Sequence, residues 1–240
     1  MNSRRTVIAA AVAGALVLGA AVAGILYFVV FAGSSPQKLV LSSPTPSASG
    51  STASPASTPG AGTWTVTPGS VAGYRVREQL ASLSAPSDAV GRTSAITGTF
   101  TLTQSASSYT VTAANFSVDV TTLTSDQSRR DNRIHSQGLE SDRYPTATFK
   151  LTTPIALPAT AAAGQTITIS ATGALTIHGV TRTVTIPIDA RLSGSQIELV
   201  GSITFPFSDF GMTPPSIGGF VSVQPNATME FQLKLAYSGA

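Results

Sequence analysis

Along most of the chain, apolar and polar residues alternate with a period of two. Ile167, Ile169 and Ala171 are interleaved with Thr166, Thr168 and Ser170; Val180, Val184, Ile186 and Ile188 with threonines and Pro187; Met229, Phe231, Leu233, Leu235 and Tyr237 with Glu230, Gln232, Lys234 and Ala236. Successive side chains of a strand point to opposite faces, so each segment predicts a strand with one wet and one apolar face. Further strands are expected over residues 73–80, 94–103, 109–118, 146–152 and 196–205, about eight in all. The sequences Ile177-His178-Gly179-Val180 and Leu192-Ser193-Gly194-Ser195 are short enough to be hairpin turns. One stretch breaks the alternation. Residues 124–144 are rich in charge and read as helical from about Asp126 to His135, with Thr124 or Ser125 as cap and only Ile134 and Leu139 as apolar anchors. Such a segment covers an end or edge and does not build a core. Alternating antiparallel strands without long helical crossovers leave two architectures, a sandwich or a closed barrel.

The first quarter of the chain is different. Val7 to Ala32 is an unbroken apolar and glycine run of 26 residues, about 39 Å of helix against a hydrocarbon thickness of about 30 Å. With Arg4 and Arg5 before it and no acid nearby, the run predicts a signal-anchor that leaves the amino terminus in the cytoplasm and everything after it outside. The same arginine pair also fits a twin-arginine export signal. Residues 34–63 are almost wholly Ser, Thr, Pro, Ala and Gly and cannot build a core, so they read as a disordered spacer. The expected organisation is a cytoplasmic tip and transmembrane anchor at 1–33, a linker at 34–63 and a folded domain at 64–240.

Composition narrows the function. The absence of cysteine excludes disulfides, thiolate metal sites and thiol nucleophiles. The net charge of +3 comes from Arg4, Arg5 and Lys38; from Trp64 onward basic and acidic residues balance, so no nucleic-acid partner is expected. There is no nucleophile elbow, no His-Glu-x-x-His pair and no phosphate-cradling loop. His135 and His178, the only histidines, could meet Asp189 or Glu140 in space, but a turn position for His178 and a helix-end position for His135 account for them without catalysis or metal. The cluster Arg129, Arg130, Asp131, Arg133, Glu140, Asp142 and Arg143 fits either a phosphate or headgroup site or a helix paired with itself; the Asp126–Arg130 interval favours the second. Glu78 shares a face with Tyr74 and Val76 that the alternation assigns inward, and an inward carboxylate needs an arginine or a ligand's polar end.

Three segments together resemble the YceI-like lipid-binding family: Leu175-Thr176-Ile177-His178-Gly179-Val180-Thr181; Arg130-Asp131-Asn132-Arg133-Ile134 followed by Tyr144-Pro145-Thr146-Ala147-Thr148-Phe149; and Phe207-Ser208-Asp209-Phe210-Gly211-Met212. The resemblance implies an all-β, eight-stranded antiparallel lipocalin-like barrel with one or two short helices, holding a polyisoprenoid or isoprenoid quinone in an apolar interior, with no cofactor. Glu78 and Phe207 depart from the family pattern, where histidine and arginine are common. The expected interior contacts are Tyr74, Val76, Glu78, Phe100, Phe116, Phe149, Leu175, Val184, Ile186, Phe205 and Phe231, with no catalytic and no metal-binding residue. Two other functions fit the same fold. One is a stress-response or protein-interaction module using the barrel as scaffold; the other is an enzyme acting on a bound lipid through His178 or Glu78.

Overall fold

The computed structural model describes residues 35–43, 60–80, 86–193, 195–214 and 221–239. The apolar run 7–32 lies outside them. No helix among the described residues is long and apolar enough to cross a membrane.

Eleven strands form one antiparallel sheet: β1 (Gly62–Val66), β2 (Val71–Leu80), β3 (Ser87–Thr93), β4 (Ile96–Ser105), β5 (Ser108–Asp119), β6 (Thr146–Leu151), β7 (Ile155–Leu157), β8 (Ile167–Ile177), β9 (Val180–Ser193), β10 (Gln196–Pro206) and β11 (Val221–Gly239). Three of these, β1, β3 and β7, are not among the expected segments, and β1 begins at Gly62, inside the stretch read as spacer, yet the barrel still has eight strands. β1 and β2 are successive parts of one path around the turn at Pro68-Gly69. β3 and β4 are likewise parts of one path, bent at Ser94-Ala95. The first path pairs with the second through β1–β4 and β2–β3, and with β11 through β1–β11 and β2–β11. The remaining neighbours run in chain order, β4–β5–β6–β8–β9–β10–β11. The result is an eight-stranded up-and-down barrel closed between its first and last strands, with β7 a short addition beside β5. Closure leaves no long sheet edge exposed.

The crossing from β5 to β6 carries the helix, α1 (Ser128–Arg133), extended by a wider π turn at Ile134–Gly138. It is shorter than expected, and neither Thr124 nor Ser125 caps it. The residue before it is Gln127, which makes no side-chain cap, and Asp131 instead accepts from the Ser125 amide and hydroxyl at 3.0 and 2.6 Å. His135 fastens this crossing. Its ring nitrogens lie 2.9 Å from Ser141 Oγ and 3.0 Å from the Leu123 carbonyl, so the nitrogen at the carbonyl carries the proton and the other accepts from the hydroxyl.

The interior divides into two layers. One cluster, around Trp64, Phe100, Leu102, Leu233 and Leu235, fills the end where β1 closes the barrel; Trp64 stacks on Phe100 with ring centroids 6.1 Å apart. The other, around Leu175, Ile177, Phe205, Phe207, Phe210 and Met212, fills the opposite end, with Leu139 of the crossing packed on it. Phe149 touches both.

On the outer wall, the described part of the expected spacer is not detached. Residues 37–43 lie along β10, β11, β9 and β3, hydrogen-bonded to Glu198, Gln232, Arg191 and Arg92. Residues 44–59 lie outside the described part of the chain.

Candidate functional site: an apolar cavity in the barrel

Within the first cluster the barrel keeps a partly open cavity of ≈ 90 Å³, which meets the second cluster at Phe149. On the scale where a buried water needs about 10–15 Å³, this is space for several small groups. Its walls come from β4 to β10 and are aliphatic or aromatic throughout, apart from Gln165 and Arg191. Arg191 is matched by Glu198 at 3.3 Å, so that polar margin carries no net charge. Leu157, Ala161, Leu192 and Ile197, at strand ends and in the short 3-10 turn Ala159–Ala163, line the same end of the space.

The alternation that produces strands also decides which residues reach this space. On β8, Ile167, Ile169 and Ala171 face it, while Thr168 bonds Asp189 outside at 2.6 Å. Among the residues expected to contact lipid, Phe100, Phe116 and Phe149 line the cavity. Leu175, Ile186 and Phe205 are buried inward but do not line it, and Val76 and Val184 pack on the filled layer. Phe231 packs against the Trp64 layer. The largest group not anticipated is aliphatic, including Leu102, Val111, Leu151, Ile188 and Leu199. Their signal was the phase of the same alternation, weighted here toward aromatic residues.

Several inward rings lie flat against the wall because a glycine sits beneath them. A β-carbon added at Gly98 would meet Phe116 Cδ1 at 2.4 Å; at Gly173, Phe149 Cζ at 2.4 Å; at Gly201, Phe231 Cζ at 2.5 Å; and at Gly91, Tyr74 Cε1 at 2.3 Å. Each ring occupies the space of the missing side chain on a neighbouring strand, which keeps its bulk out of the lumen.

Glu78 is inward and away from the cavity lining. Its carboxylate, with side-chain exposure of 8%, accepts from Arg130 Nη2 at 2.7 Å, and Arg130 also pairs with Asp126. The helix thus reaches into the barrel end with one guanidinium, and that arginine of the charged cluster is spent on protein carboxylates. Burial pushes the Tyr74 phenol well above its ordinary range, against the pull of Arg130; its hydroxyl is buried without a well-formed hydrogen bond.

The three sequence segments that resemble a known family converge at the filled end. His178 and Gly179 form the β8–β9 turn in the left-handed region, at φ 52° and 71°. Tyr144 covers that turn, its ring 4.5 Å from the imidazole; a side chain on Gly179 would meet Tyr144 Cε1 at 2.5 Å. His178 Nδ1 lies 3.2 Å from the Phe210 carbonyl, and Arg182 Nε donates to the Asp209 carbonyl at 2.7 Å. The histidine is a clasp joining the turn, the strand entry and the 3-10 turn Phe207–Phe210. Its other nitrogen is 3.6 Å from Glu140 Oε1, too long for a hydrogen bond. No nucleophile adjoins the ring in these contacts. Phe207 is buried within the same plug. Among the described residues no cluster of His, Asp and Glu is arranged to hold a metal.

A closed antiparallel barrel with a partly open, almost wholly apolar cavity is the architecture of a small-ligand-binding barrel. The chain belongs to the YceI-like domain family, whose model matches residues 64–235. Similar solved structures include a polyisoprenoid binding domain from Saccharophagus degradans, implicated in plant cell wall breakdown, at 13% identity, covering 75% of this chain and 100% of that one with a TM-score of 0.54. Another is BcnA of Burkholderia cenocepacia, at 19% identity, covering 67% and 95%, with a TM-score of 0.48. Comparison with curated proteins finds no match.

Proposed function

We propose that the protein binds an isoprenoid lipid, a polyprenyl chain or the tail of an isoprenoid quinone, by taking its hydrocarbon end into the barrel cavity. We place this activity on the outer side of the membrane, with Val7–Ala32 as the anchor. The observation that carries the reading is the wall chemistry: the cavity lining is apolar except for Gln165 and the charge-matched Arg191. The Saccharophagus degradans domain, described as polyisoprenoid binding, shares the fold.

The magnitudes support a hydrocarbon. Each buried methylene contributes about 0.8 kcal/mol, so about ten buried carbons, two isoprene units, supply about 8 kcal/mol before association and ordering costs. A phosphate driven into this lining would lose its hydration without a compensating donor set. The cavity volume of ≈ 90 Å³ fits a chain end, so a longer tail must extend out of the cavity or displace side chains. Binding of this kind needs no catalytic group, and none is assigned.

Trp64, the only tryptophan, stacks on the cavity-lining Phe100 and supplies the test. Titrating the protein with a short-tailed isoprenoid quinone should quench tryptophan emission saturably, and a saturated isoprenoid of equal length should compete the quencher away. Quenching that rises linearly without saturation, or that the saturated chain does not relieve, contradicts the reading.

A further inference from the structure

The outer wall of the barrel carries buried charge that ligand binding does not use. Glu198 on β10 and Glu230 on β11 are 5% and 3% exposed, although neither belongs to the inward face. Glu230 is satisfied by the wall itself, accepting from Arg92 at 2.8 Å and Arg75 at 3.3 Å. Glu198 is satisfied in large part by the chain that precedes the barrel. Its Oε1 accepts from the Ser42 amide at 3.0 Å, the Ser42 hydroxyl at 2.7 Å and Gln232 Nε2 at 2.7 Å.

Apart from a long contact of Gln232 Nε2 with the Ser42 hydroxyl at 3.4 Å, three further contacts of this segment go to its backbone. Arg92 donates to the Gln37 carbonyl, Gln232 to the Val40 carbonyl at 3.0 Å, and Arg191 to the Ser42 carbonyl. Three donors from three strands thus read carbonyls at positions 37, 40 and 42. Val40 itself stays 67% exposed, so the apolar effect of its side chain contributes little. This is recognition of an extended peptide through its main chain, with specificity concentrated at the serine whose hydroxyl and amide share one carboxylate.

We propose that the wall formed by β9, β10, β11 and β3 is a peptide-binding surface whose occupant, in cis, is the chain's own segment Gln37–Ser42, acting as a strap. The sequence from 34 to 63 then does not work as one long tether. Within it, residues 37–42 are seated on the barrel wall itself. Arg191 belongs both to the strap seat and to the cavity margin, so the seat and the mouth share a residue. The inference rests on the wall contacts alone and stands or falls separately from the identity of the lipid.

The absence of native cysteine makes the test direct. Lys38→Cys and Ser202→Cys, both at exposed positions, are spin-labelled in the full chain in detergent, and their separation is read by pulsed electron paramagnetic resonance. The strap predicts one short, narrow distance distribution. Glu198→Ala should broaden and lengthen it. So should a second variant with positions 37 and 39–42 replaced by Gly and Ser, which leaves every barrel residue intact; the near-UV dichroism of Trp64 should be unchanged in that variant. A broad distribution in the parent chain overturns the proposal. So does a narrow one that survives both variants.

Discussion

Phe149 is the residue on which the size of the cavity turns. It lines the open space and also packs on the filled layer below, and it lies against the wall only because Gly173 has no side chain. Adding a β-carbon there would place it 2.4 Å from the ring and 2.5 Å from the Lys150 carbonyl. The ring can swing away, but the carbonyl belongs to a paired strand and can yield little. Gly173→Ala should therefore destabilise the barrel by about 1–3 kcal/mol, measured by denaturant unfolding. The displaced ring should also weaken quinone binding. An alanine variant with unchanged stability and affinity would show that the wall relaxes more easily than its pairing implies. Glu78 gives the complementary lesson about sequence reading. Its inward direction was legible from the alternation with Tyr74 and Val76. Its partner was not, because Arg130 lies 52 positions away and only the path of the crossing brings it there.

At the scale of elements, the segments most suggestive of a site in the sequence prove to be joints. The β8–β9 turn, the entry to β6 and the turn Phe207–Phe210 meet around His178, whose ring packs on Tyr144 and bonds the Phe210 carbonyl. His178→Ala removes that hydrogen bond and ring contact while keeping a side chain at positive φ, and should cost about 1–3 kcal/mol by thermal or denaturant unfolding. Under conditions where the variant is folded, lipid stoichiometry should equal that of the parent. Loss of lipid from a fully folded variant would give the histidine a role beyond the clasp.

The strap joint is sensitive to pH. Burial raises the Glu198 carboxyl, but hydrogen bonds from Gln232 and from the Ser42 hydroxyl and amide, together with Arg191, outweigh it and hold the group below its ordinary value of 4.5. Because the folded value is the lower one, the stabilisation is complete above the ordinary value and is lost as pH falls through the depressed one. Arg191 and Gln232 face the carboxylate, and the Arg75–Arg92–Glu230 group lies farther along the wall. Hydrogen exchange at the Ser42 amide should be slow at neutral pH and should accelerate, relative to intrinsic exchange, in acid; Glu198→Gln should flatten that dependence. Equal protection across the range would contradict a carboxylate seat.

For the molecule as a whole, the strand period and a count of about eight were legible because one wet and one apolar face is a local property of sequence, whereas closure into a barrel was implied only by the family resemblance. The first two barrel strands bend at Pro68-Gly69 and Ser94-Ala95, and of each only the part beyond the bend was legible; the short segments 62–66 and 87–93 lack a sustained alternation. The phase of the inward face was legible too, as Phe100, Phe116 and Phe149 show. Which layer of that face stays open was not, because it depends on how rings and glycines from neighbouring strands share space. The strap was invisible for a different reason. Its recognition lies mostly in backbone carbonyls, which carry no sequence signature, and in a glutamate more than 150 residues away.

The central claim is that this barrel holds isoprenoid hydrocarbon. Native mass spectrometry of the full chain, purified in mild detergent, followed by extraction and identification of what is released, tests it most directly. The account predicts a population carrying one added mass that denaturation releases as a polyprenyl or isoprenoid quinone species, diminished in the Gly173→Ala variant. A chain that emerges ligand-free and takes up no isoprenoid when one is supplied in excess would contradict it.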